Sequence, residues 1–143
     1  MNQSRSIAPA AAIFAILVVS SCGKRSGRDD ARAITNAYRA FQEASVTDRP
    51  AALAELTKAR CDDAPTCADR DACVDYAKAL VRAADLTRRA RALAPEDAGG
   101  NGAATPDELA VIVSGADDAV KKTEALEPKC RVALERLYAA ISR

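Results

Sequence analysis

Five cysteines carry most of the chemistry open to this chain: Cys22, Cys61, Cys67, Cys73 and Cys130. Thiols can pair, ligate a metal, exchange electrons or carry a lipid, and spacing separates these roles. Cys61, Cys67 and Cys73 follow each other with five residues between neighbours, and Cys130 stands far downstream. Structural zinc sites hold their cysteine pairs roughly two to four residues apart. There is no histidine to complete a mixed site. Redox pairs favour Cys-x-x-Cys and haem attachment Cys-x-x-Cys-His, and neither occurs. The spacing therefore predicts no metal and no redox centre, and leaves disulfides as the expectation for Cys61, Cys67, Cys73 and Cys130.

Charged clusters are the other candidates. Asp117 and Asp118 precede Lys121 and Lys122 by four residues, the arrangement of helix ion pairs on a solvated face. Asp62-Asp63 offers two carboxylates, too few for calcium, which takes about six to eight oxygens. Arg82, Arg88, Arg89 and Arg91 crowd a helix C-terminus, where cations complement the macrodipole. An anionic envelope partner is the alternative reading of that cluster. Gly99-Gly100-Asn101-Gly102 lacks the lysine and hydroxyl of a phosphate loop, and no Gly-x-Ser-x-Gly or Cys/His pair supplies an activated nucleophile. No catalytic residue is assigned, and no enzyme is expected.

Ahead of these residues lies an apolar run from Ile7 to Val19, preceded by Arg5 and closed by Val19-Ser20-Ser21-Cys22. The run would rise only about 20 Å as a helix, short of the roughly 30 Å hydrocarbon core, so it suits a signal h-region better than a membrane span. Val19-Ser20-Ser21-Cys22 resembles the lipobox of bacterial lipoproteins. That resemblance implies that residues 1–21 are a cleaved signal peptide. It also implies that Cys22 carries a diacylglyceryl group, with a possible further N-acyl chain (palmitate being typical of such lipids). Cofactors are otherwise not expected. Val19 and Ser21 also fit general signal peptidase, which would export the chain without a lipid. Cysteine parity favours the lipid: acylating Cys22 leaves an even number to pair outside the cytoplasm. Gly23 is not the aspartate that retains some lipoproteins at the inner membrane, so the resemblance points to an outer-membrane anchor facing the periplasm or surface.

Of 21 Lys and Arg and 20 Asp and Glu, only Arg5 lies in the leader, so the mature chain is balanced. That balance argues against a nucleic-acid partner. After the leader the aromatics are Tyr38, Phe41, Tyr76 and Tyr138, and alanine dominates. Periodicity predicts an all-α, disulfide-stapled bundle of about four to five helices over residues 29–143, with 22–28 a lipidated tether. The first helix spans about 29–44, with Ile34, Tyr38 and Phe41 on one face. Thr47 or Asp48 caps a second through Arg60, burying Leu53 and Leu56. A third spans about 69–93, with Cys73, Ala77, Leu80, Val81 and Ala84 as its stripe. After a loop at 95–102, Thr105-Pro106-Asp107-Glu108 reads as a capping box opening a fourth helix toward Leu126. Ser114-Gly115 could kink it, and Val111-Ile112-Val113 could instead be a strand. Pro128 is expected to start a fifth helix carrying Cys130, Leu134, Leu137 and Ile141.

In an up-down bundle this helix order gathers the four thiols at one end. Cys73 and Cys130 lie on apolar faces, which favours Cys73–Cys130 and leaves Cys61–Cys67. The leading functional expectation is a lipid-anchored, non-catalytic envelope protein that binds another envelope component, its membrane contact being the lipid. Two rivals stand beside it. One is a carrier or sensor with an apolar cavity among Ile34, Tyr38, Phe41, Leu80 and Leu137. The other is a passive surface lipoprotein.

Overall fold

The computed structural model describes residues 22–94, 100, 102 and 104–143, with side chains from Gly27 onward. The leader at 1–21 and most of the loop at 95–102 lie outside the described residues. Four helices make the fold: α1 (Cys22–Glu43), α2 (Arg49–Lys58), α3 (Ala64–Leu93) and α4 (Pro106–Ser142). Among the described residues there is no strand, and Val111-Ile112-Val113 is helical.

The helix ends follow from capping chemistry. Asp63 sits in extended conformation and its carboxylate accepts from Thr66 N at 2.9 Å, with Pro65 in the first turn. This cap starts α3 at Ala64, five residues before the expected Asp69. At α4, Glu108 N donates to Thr105 Oγ1 and Thr105 N donates to Glu108 Oε2 at 2.9 Å, completing the reciprocal box. α2 starts without such a cap: Asp48 instead accepts from Ser45 Oγ at 2.6 Å within the preceding turn.

Helix boundaries differ from expectation at two further places. Residues 22–28 are helical and form the opening turns of α1. Pro128 does not start a fifth helix; it lies inside α4, which runs unbroken to Ser142. Proline removes one backbone bond and crowds the preceding turn, a local cost of about 3 kcal/mol. Packing on both sides of Pro128 outweighs it, with Ala119 buried before the proline and Cys130, Ala133 and Leu137 buried after it.

α3 and α4 form a long antiparallel hairpin. Its register is marked by Gly115 beside Leu86, Cys73 bonded to Cys130, and Arg136 paired with Asp69. α1 and α2 pack on the cysteine-bearing half of this hairpin. There Ala31, Ile34, Tyr38 and Phe41 from α1 meet Leu56 from α2, Val74 and Ala77 from α3, and Ala133 and Leu137 from α4. Ile34, Phe41, Leu56 and Leu137 are essentially without solvent contact. Full burial of such a side chain contributes about 1.5–3 kcal/mol, so these few large residues carry much of the apolar driving force.

The other half of the hairpin is thinner. Its seam is made of small residues, with Ala79, Ala83 and Ala119 buried and Gly115 against Leu86. Small side chains let the two helices approach closely but leave Val111 and Val113 on the outside, 73% and 51% exposed. Alanine richness thus yields a solid four-helix base and a two-helix arm.

Candidate functional site

The disulfides are Cys61–Cys67 and Cys73–Cys130, with Cα atoms 5.1 and 4.4 Å apart. Cys67 falls in the first turn of α3, so the short bridge ties the α2–α3 link to that helix start. Cys73 and Cys130 are buried in the core and join α3 to the second half of α4. Both bridges sit at the base, within the first third of α3, and hold no thiol free for chemistry.

Carboxylates at this end are committed to structure. Asp30, 2% exposed, accepts from the backbone N–H of Asp62 at 2.7 Å and lies 3.6 Å from Arg60 Nε. Arg60 also pairs with Asp62, and this hydrogen bond holds the Arg60 guanidinium above its ordinary pKa. Asp63 is the α3 cap. Asp69 accepts from Arg136 Nε at 2.8 Å, which likewise raises the arginine. Asp62 and Asp63 therefore tie the α2–α3 link to α1 and to the start of α3. Among the described residues no group of His, Cys, Asp and Glu could hold a metal ion.

The sequence-flagged charges on the arm separate into paired and unpaired sets. Asp117 meets Lys121 at 2.6 Å on an exposed face, and that contact holds the Lys121 ammonium above its usual range. Arg88 and Arg89 share Asp85, at 2.6 and 3.0 Å. Arg82 has no ion pair among the described residues, and neither does Lys78 one turn earlier. Two open grooves flank these two cations. One, about 410 Å³, lies between α3 and α4 and includes Asp75, Asp118, Lys122 and Leu126. The other, about 360 Å³, lies between the start of α2 and α3, with Arg49, Pro50, Val81, Asp85 and Arg88 in its wall.

Arg49 is the functional candidate that sequence reasoning missed. It is the first residue of α2, where a cation opposes the helix dipole. A guanidinium in that unfavourable position was the available signal. Its carbon lies 6.0 Å from the Phe41 ring centroid, and among the described residues no atom accepts from its buried Nε.

The residues expected to enclose an apolar ligand do something else. Ile34, Tyr38, Phe41 and Leu137 are buried in the core, Leu80 packs against it, and none of them lines either groove. Burial pushes the Tyr38 phenol up to about 12. An apolar concavity at the arm's tip is lined by Leu93, Ala104, Val111 and Ile112 together with Asp107 and Glu108.

No family model, no characterised protein and no solved structure matches this chain.

Proposed function

We propose that the chain is a lipoprotein anchored through Cys22 outside the cytoplasm, working as a non-catalytic binding or adaptor module for another component of the cell envelope. The observation that carries the reading is cysteine parity. Cys61, Cys67, Cys73 and Cys130 are consumed by two disulfides, so Cys22 alone stays outside them. Disulfides persist in oxidising compartments, which fits export. Cys22 also closes the Val19-Ser20-Ser21-Cys22 pattern, which gives that remaining sulfur a chemical role.

Among the described residues no helix is long and apolar enough to cross a membrane. In this reading membrane attachment comes from the acyl chains, and two or more chains anchor stably where one binds marginally. The rigid disulfide-stapled base then presents α3 and the arm to a partner. Fractionating cells that express the native chain or Cys22→Ala tests the anchor. The native chain is expected with the membranes, and Cys22→Ala is expected to lose that association; equal membrane association of both would refute it. Crosslinking of the anchored chain in cells tests the adaptor role, which requires one dominant partner that is lost when a single helix face is altered.

A further inference from the structure

The α2–α3 groove has a composition that its structural role does not explain. Four cations line it, Arg49, Lys78, Arg82 and Arg88, against one carboxylate, Asp85. Asp85 is already shared by Arg88 and Arg89. Asp75 and Asp118 lie in the neighbouring α3–α4 groove and form no ion pair with Lys78 or Arg82. Arg49, Lys78 and Arg82 are thus without a carboxylate partner among the described residues. The rest of the wall is apolar: Val46, Pro50, Leu53, Val81 and Ala84.

From these residues we propose that the α2–α3 groove binds a phosphate monoester that bears an apolar substituent. Three unpartnered cations match a dianion better than a monoanion, and guanidinium forks suit phosphate oxygens. Lys78 and Arg82 stand one turn apart on one face of α3, with Asp85 and Arg88 following along it. Arg49 faces them from α2, at the positive end of that helix dipole. The apolar wall takes the substituent, and Arg49 adds its charge at the α2 edge of the groove.

Placement argues for a free ester rather than a membrane surface. Gly27, near the start of α1, lies beside Asp63 at the start of α3. From Asp63 to Val81, α3 rises about 27 Å. The groove therefore lies well along the molecule from the end where α1 leaves Cys22. The proposal does not depend on the lipid: the titration below is repeated on Cys22→Ala in buffer without a nanodisc, so failure of the anchor and failure of the groove are separate results.

The test is a ¹H–¹⁵N NMR titration of the purified full chain, held in a zwitterionic nanodisc, with butyl phosphate. Saturable shifts are expected at Val81, Arg82 and Asp85 and around Arg49. Lys78→Gln or Arg82→Gln, both at exposed side chains, should weaken binding about tenfold. Val46→Ser, also exposed, should weaken butyl phosphate while leaving the weaker binding of inorganic phosphate unchanged. Equal shifts with butylammonium, or indifference to both charge variants, would overturn the proposal. Groove shifts produced by an anionic-lipid nanodisc without added ester would transfer the groove to the membrane and overturn the assignment to a free ester.

Discussion

Removing the Cys73–Cys130 bridge should cost about twice as much stability as removing Cys61–Cys67. The two bridges span 57 and 6 residues of sequence. In the chain-entropy model those closures remove about 4.2 and about 2.2 kcal/mol of unfolded-state freedom at 25 °C. Unfolding entropy near 0.24 kcal/mol/K for a chain of this size converts these to Tm losses of about 17 and about 9 °C. Packing pushes the same way. Cys73 and Cys130 are 0% and 1% exposed, so paired alanines there also leave core volume unfilled, whereas Cys61 and Cys67 are only partly buried. The assay is urea and thermal unfolding, followed by circular dichroism, of the native chain, Cys73→Ala/Cys130→Ala and Cys61→Ala/Cys67→Ala. Equal losses, or a larger loss for the short bridge, would refute the view that the long bridge locks the α3–α4 hairpin.

Other consequences are narrower. Leu56, fully buried, is the chief anchor of α2; Leu56→Ala should cost about 2–5 kcal/mol in urea unfolding, and no loss would mean that α2 is dispensable to the core. Gly115→Ala should stabilise by about 0.5–1 kcal/mol in the same assay, because an added Cβ would sit 3.7 Å from Leu86 Cδ1, an ordinary contact, and alanine favours helix. Tyr38 has its folded pKa raised from 10.0 to about 12 by burial, so its contribution to stability is full below pH 10 and is lost as pH rises through 12. Ultraviolet phenolate titration of Tyr38→Phe against the native chain should show that the missing transition is the late one; loss of an early transition would contradict its burial.

Local chemistry made much of the fold legible. Ile34, Tyr38 and Phe41 repeat at helical spacing, and Thr105 with Glu108 announces a capping box. Helix order with two apolar-face cysteines led to the same disulfide pairing that the structure contains. The misplaced boundaries have identifiable causes. Asp63-Ala64-Pro65 is a cap followed by a first-turn proline, a start signal overlooked in favour of Asp69. Pro128 is a strong local stop signal that tertiary burial of Cys130, Ala133 and Leu137 overrides. The α2–α3 groove was only half visible. Arg82 and Arg88 stood out as a cluster, but Arg49 reaches them only because the turn before α2 folds that helix onto α3, and no periodicity encodes that approach.

The intact mass of the native chain, non-reduced and then reduced, tests the central claim most directly. The account predicts cleavage before Cys22, a diacylglyceryl adduct on that residue, and a gain of four hydrogens when the two disulfides are reduced. An uncut leader, an unmodified Cys22, or free thiols at the other four cysteines would contradict it.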